Sequence, residues 1–346
     1  MTPLPRATMA IEQAIAERVF PGAVLEIGDA RGATALVARG GLTYEPPVKP
    51  VTTETIYDLA SLTKVLCTAT LAARLVERGQ LDLHTAVAAW LPQWRGADRA
   101  EVTVRHLLDH SSGLPAHRPY FERLGGRDAY EAAICAEPLE YEPGTRSVYS
   151  DAGFILLGLI LERADGRPLD AQFSAWRDAE VPGAEIAFLP SAAWTARIAP
   201  TEQDAWRGRL LRGEVHDENC AAIGGVAGHA GLFGSAAAVG AIARWWLRAA
   251  GERSTYARFL RPTGVTGSSR ALGWDTMRPT SSCGTRMNAA AVGHTGFTGT
   301  SLWIDLSANR YVVLLTNRVH PTRAGDAMAR VRPAVHDAIA DDLARG

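Results

Sequence analysis

Two short apolar stretches near the N-terminus, Ala23 to Gly28 and Ala33 to Ala38, flank Asp29-Ala30-Arg31-Gly32, a composition suited to a hairpin turn. Before them, Thr8 to Val19 has the mixed pattern of an amphipathic helix, ended by Pro21-Gly22. Leu62, Val65, Leu66, Ala69, Ala72, Ala73 and Val76 then recur on one helical face, in a helix opened by Ser61 and stopped near Gly79. Shorter helical patterns follow at Val104 to His110, Asp151 to Ala164 and Ala236 to Ala249. Strand patterns return late. His294 to Asp305 alternates, Tyr311 to Thr316 is aliphatic and β-branched, and Ser307-Ala308-Asn309-Arg310 between them predicts a hairpin. A last helix is expected from Ala324 to Leu343.

Strands at both ends and helices between them predict an α+β fold. One antiparallel sheet gathers both ends of the chain and is flanked by the first and last helices. The expected division is a discontinuous sheet domain, 1–60 and 222–346, and a mainly helical domain, 61–221, with a site at their junction.

The formal net charge of -1 gives no electrostatic footprint for nucleic acid or an anionic membrane. No apolar run is long enough for a membrane span; Ala152 to Leu161 is broken by Gly158 and reads as a core helix. The polar N-terminal helix lacks the apolar stretch of a signal peptide, which predicts a cytoplasmic protein, or an exported one without its leader. Cys67, Cys135, Cys220 and Cys283 are scattered and predict reduced, buried thiols.

Only Lys49 and Lys64 among the 36 basic residues are lysine. That scarcity gives weight to Ser61-Leu62-Thr63-Lys64. With so few lysines, about 0.1 Ser-x-x-Lys matches are expected by chance. A serine hydroxyl needs a base, and lysine serves if its pKa is lowered, whereas arginine cannot be deprotonated. Three residues apart on a helix, Ser61 and Lys64 share a face, and at the helix start the Ser61 amide is free. The bland alternative is a helix-capping serine beside a snorkelling lysine. Tyr149-Ser150-Asp151 adds a phenol for proton relay and a carboxylate able to pair with Lys64, unless Tyr149 is core and Asp151 caps the following helix. His294-Thr295-Gly296 offers a strand edge with backbone donors and a glycine that admits a ligand.

The segments IYDLASLTK, VTVRHLLDHSSGLP, YEPGTRSVYSDAGFILLG and HTGFTG, in this order, resemble the serine β-lactamase and penicillin-binding protein superfamily, its class C-like branch above all. The resemblance implies that Ser61 is acylated, Lys64 is its base and Tyr149 shares the proton transfer. It further implies that the amides of Ser61 and Phe297 form the oxyanion hole, and that Asp151, His294, Thr295, Gly296 and Phe297 meet the substrate. Asp151 stands where asparagine is usual and His294 where lysine is usual; both changes point from β-lactam destruction toward peptidase- and esterase-like relatives. VHDENCAAIGGVAGHAGLFG resembles a subset linked to cell-wall sugar recycling, which implies a polar cluster of His216, Asp217 and Asn219 by the cleft, with His216 and Asn219 among the residues that meet the substrate.

No metal is expected, since His216-Asp217-Glu218 lacks ligand spacing and His106 and His110 read as a framework pair. The glycine cluster lacks a phosphate-loop ending, and no G-x-S-x-G is present. The expected function is hydrolysis through an acyl-enzyme, without a cofactor, of a small molecule or a short peptide, foremost a D-amino-acid peptide of peptidoglycan. The alternatives are a carboxylesterase of the same fold and a slowly acylated ligand sensor.

Overall fold

The computed structural model describes residues 2–344. Helix α1 (Pro5–Ala16) leads into β1 (Gly22–Gly28) and β2 (Ala33–Gly40). After a long helical middle, β3 (Asp275–Thr276), β4 (Val292–Thr295), β5 (Ser301–Asp305) and β6 (Arg310–Thr316) complete a six-stranded sheet in the order β2-β1-β6-β5-β4-β3. The pairs β1–β2, β1–β6, β5–β6 and β4–β5 are all antiparallel.

Alternation along the central strands explains the layers. Ala23, Leu25, Ile27, Val312 and Leu314 face α1 and the last helix, α5 (Met328–Leu343), packing on Ala7, Ile11, Val331 and Val335. Val24, Val313 and Leu315 point the other way, into the main core shared with α4 (Ala236–Glu252). Burial of both faces makes β1 a continuous apolar run broken only by Glu26. That carboxylate accepts from the Tyr311 hydroxyl at 2.7 Å and the Arg244 guanidinium at 3.3 Å.

Four local expectations change. Pro5 starts α1 three residues earlier than the apolar pattern predicts, as proline suits the first helical turn. The run from His294 to Asp305 is two strands, not one. A tight turn at 296–300 folds it back so that Ser301 pairs with Thr295, and Gly299 supplies a φ of 111°. The last helix starts at Met328 rather than Ala324, because Arg323 is tied to Glu202 and Glu218 outside it. The middle is not purely helical: Tyr57–Asp58, Leu232–Gly234 and Ile186–Phe188 form a small sheet, and Gln203–Asp204 pairs with Arg209–Leu210.

Helix α1 has no side-chain cap of its own. Instead Asp342, near the end of α5, accepts from the amides of Arg6 and Ala7 at 3.0 Å each, joining the two ends of the chain. Asp342→Ala is expected to destabilise the fold by about 1–2 kcal/mol. An unchanged urea midpoint would remove this cap from the ledger.

Candidate active site

The segment that carries Ser61 is clamped before it becomes helical. Asp58 is fully buried; one carboxylate oxygen accepts from the Ala60 amide (2.8 Å) and the other from the His216 amide (2.6 Å). Thr298 and Thr300 donate to the carbonyls of Asp58 and Leu59. Ala60 adopts φ 46°, a strained conformation for a residue with a side chain, immediately before Ser61. Among the described residues the Ser61 amide donates no hydrogen bond, and neither does that of Phe297.

The expected one-sided helix after Ser61 is buried on nearly every side. Residues Lys64–Ala69 form a wide π-helical turn that continues into α2 (Thr70–Glu77), and Leu62 through Ala73 are all buried. Lys64 therefore reaches no water. Its Nζ lies 3.1 Å from Ser61 Oγ, 2.7 Å from Asp151 Oδ1 and 3.1 Å from the His229 carbonyl.

Glycines bring that carbonyl in. A Cβ on Gly228 would fall 2.1 Å from the Phe154 carbonyl and against Gly158, so the glycine-rich segment lies directly on α3 (Asp151–Asp165). Thr68 Oγ1 donates to the Gly228 carbonyl at 2.6 Å. These glycines serve backbone packing beside Lys64.

Ser150, not Asp151, caps α3: its hydroxyl accepts from the Gly153 amide. Asp151, in the first turn, is free to face Lys64. Burial disfavours the Lys64 ammonium, but the Asp151 carboxylate and the Tyr149 phenol outweigh it and hold the pKa above that of free lysine. This reverses the expectation of a lowered lysine pKa. Burial likewise opposes the Asp151 carboxylate, and Lys64 and His117 more than compensate, keeping it ionised. The site at rest is an ammonium–carboxylate pair.

Tyr149 lies with its ring 4.8 Å from Lys64 Nζ and 5.3 Å from the Arg270 guanidinium. Burial pushes its phenol up, partly countered by Lys64. Behind it, His110 accepts from the Ser150 amide through Nδ1 and holds its ring tilted against that of Tyr149 at 4.8 Å, while His106 accepts from the Thr103 amide. Both histidines of that pair are framework.

His294 is buried at the end of β4, its Nδ1–H donating to the Thr295 carbonyl at 2.8 Å. Burial and then Arg270 hold its pKa well below that of free histidine. His294 thus brings no charge to the cleft near neutrality, and the arginines that line it are Arg270, Arg318, Arg323 and Arg332. Arg332 donates to the Gly296 and Thr300 carbonyls; burial lowers its pKa to about 10. Neither Arg318 nor Arg332 has a carboxylate within salt-bridge distance among the described residues.

Gly296 has a different purpose from the one expected. A Cβ there would meet Thr300 Oγ1 at 2.1 Å and the Leu59 carbonyl at 2.6 Å. Its smallness seats the strand end against the residues preceding Ser61, rather than making room for a ligand.

Ser61, Tyr149, Asp151, His216, His294, Thr295, Gly296 and Phe297 line one cleft of about 920 Å³. Asn219 does not: its amide oxygen accepts from the Phe121 amide and the Tyr130 hydroxyl, and its nitrogen donates to the Arg118 carbonyl. The expectation that Asn219 meets the substrate is corrected; an amide bonded through both its oxygen and its nitrogen, behind the wall, positions Phe121. His216 lines the cleft but its Nε2 is tied to Glu202 at 2.8 Å, with its ring against Phe297. His117, Arg270, Arg318 and Arg332 were not singled out from sequence; surplus arginines conceal them, and His117 sits in a loop without periodicity.

Residues 9–336 match the family described as Beta-lactamase. The chain is 33% identical to an N-acetylmuramyl-L-alanine amidase of Bacillus subtilis (strain 168), over 87% of this chain and 78% of the relative. It is 31% identical to a putative D-alanyl-D-alanine carboxypeptidase of Escherichia coli (strain K12), over 81% and 73%. A class C beta lactamase from Rhodobacter sphaeroides superposes with a TM-score of 0.76 at 22% identity, covering 98% of this chain and 99% of the other. Among the described residues no helix is long and apolar enough to cross a membrane.

Proposed function

The chain belongs to the Beta-lactamase family and is a serine hydrolase, and from that premise we propose that Ser61 attacks the amide of a short D-amino-acid peptide from peptidoglycan. The observation that carries this reading is the Ser61 Oγ–Lys64 Nζ contact of 3.1 Å, in a cleft that also presents the open amides of Ser61 and Phe297.

Lys64 is the base, unmasked by passing one ammonium proton to Asp151 at 2.7 Å. Away from water a neutral amine–carboxylic acid pair competes with the ion pair, because desolvation penalises both charges. The amine takes the Ser61 proton as Oγ attacks. The two backbone donors hold the oxyanion; Tyr149 passes a proton to the leaving amine and is reprotonated by the Lys64 ammonium, and Asp151 returns its proton to Lys64, which restores the ion pair. The sheet portion, 1–60 and 222–346, supplies the oxyanion strand, and the helical portion, 61–221, supplies Ser61, Lys64, Tyr149 and Asp151. Thr295 lies along the strand edge beside the bound chain.

The substrate class is supported by the charge of the far wall. Arg318 and Arg332, without carboxylate partners among the described residues, suit the C-terminal carboxylate of a peptide. The names of the relatives, an amidase and a carboxypeptidase, agree with it. A peptide ending in D-Ala-D-Ala is expected to be cleaved with a higher kcat/KM than short-chain p-nitrophenyl esters. Ester turnover without peptide cleavage would replace this reading by a carboxylesterase.

Asp151→Asn is a sharper test of the base. Removing the carboxylate leaves burial as the dominant influence on Lys64, so its pKa falls. The pH at which Ser61 labelling by a fluorophosphonate reaches half its maximum should drop by at least about one unit. An unmoved profile would show that Asp151 does not control the Lys64 proton.

A further inference from the structure

Asp151 has two oxygens and only one is spent on Lys64. The other, Oδ2, lies 3.7 Å from His117 Nδ1. His117 lines the cleft and its side chain is 56% exposed, so water reaches it where water cannot reach Lys64. The imidazole lines the cleft, and with Nδ1 on the side of the carboxylate, Nε2 is the second ring nitrogen and has no partner among the described residues. A carboxylate that orients an imidazole, with the second nitrogen open to a reactant, is a general-base arrangement.

Resting on the acyl-enzyme reading above, we propose that His117 is a catalytic residue for the second half of the reaction, the base that activates the water which releases the acyl group from Ser61. Water gives a proton to His117 Nε2 as its oxygen attacks the acyl carbonyl. The bond from that carbon to Ser61 Oγ breaks, and Oγ takes a proton from the Lys64 ammonium. The proton on His117 then returns to Lys64 across Asp151, and the acid product loses its own proton to solvent. Asp151 thus serves Lys64 in acylation through one oxygen and His117 in deacylation through the other.

Charged groups around His117 set its proton affinity. Asp151 on α3, with Asp217 and Glu218 from the short helix Glu218–Ala222 and its cap, raise the imidazole pKa above that of free histidine against a smaller effect of burial. The neighbouring Arg118 is engaged with Glu137 and Glu140. Deacylation should therefore decline as pH falls through a value above the usual histidine range, where His117 becomes imidazolium.

The test separates the two half-reactions in His117→Gln and His117→Ala. Fluorophosphonate labelling, which needs acylation chemistry only, should run within about twofold of wild type. Turnover of a p-nitrophenyl ester should fall at least ~10²-fold, with a burst of nitrophenol equal to the enzyme concentration. The acid limb of kcat should vanish, and added imidazole should restore turnover to His117→Ala. Wild-type kcat and an unchanged pH profile would overturn the proposal. So would labelling that falls as far as turnover, since the defect would then lie in acylation or folding. Wild-type protein that takes no label on Ser61 would instead sink the acyl-enzyme reading itself.

Discussion

Ser61→Ala should take no label from a fluorophosphonate or penicillin probe by intact-mass spectrometry, and hydrolysis should drop by at least ~10⁴-fold. The hydroxyl is the only atom removed. Lys64 keeps its contacts with Asp151 and the His229 carbonyl, so no buried charge is stranded. Stability is accordingly expected to change by less than about 1 kcal/mol. That combination, chemistry lost and fold retained, is specific to a nucleophile. A wild-type adduct that persists on the alanine variant would place the nucleophile elsewhere.

Lys64→Arg has the second-largest expected effect and answers a question posed by the ion pair. Because Asp151 holds Lys64 as an ammonium at rest, its charge alone could be what Ser61 requires, with Tyr149 as base. A guanidinium keeps the charge and can pair with Asp151, but it does not give up a proton. If Lys64 is the base, labelling of Ser61 should fall by about 10³-fold, within the range measured for general bases. Retention of near wild-type labelling would assign the base to Tyr149. Arginine is bulkier and the site is closed, so thermal midpoints must accompany the rates; crowding in a packed core costs about 1–3 kcal/mol. The loss of rate should exceed any loss of folded protein at the assay temperature.

Much of the architecture was legible as pattern. Continuous apolar strands near both ends of the chain foretold a sheet uniting them, because only burial on two faces tolerates such runs. The break at Gly296 to Thr300 was not legible, since alternation on either side of a tight turn looks like one long strand. The helix after Ser61 was legible as a helix. Its burial on all sides was not: Thr63, Lys64, Thr68 and Thr70 look like a polar face, and only contacts far along the chain, such as Thr68 with Gly228, make them interior.

For the candidate site, residue type and spacing pointed to Ser61, Lys64, Tyr149 and His294, and the fold brings them together at one cleft. Asn219 misled because an amide near a cleft and an amide behind its wall look alike in sequence. His117 was missed because nothing local marks it; only the fold brings it to Asp151.

The sequence by itself determined which groups could do chemistry: a serine and a lysine one turn apart, in a chain where lysine is nearly absent, followed by a tyrosine and a strand of His-Thr-Gly. Spacing within one helix settles that much, because three residues of helix bring two side chains together wherever the helix lies. Only the tertiary structure decided their protonation. Proton affinity depends on burial and on charges within a few ångströms in space, and the residues that supply them, Asp151 for Lys64, Arg270 for His294 and Asp151 again for His117, lie on other segments of the chain.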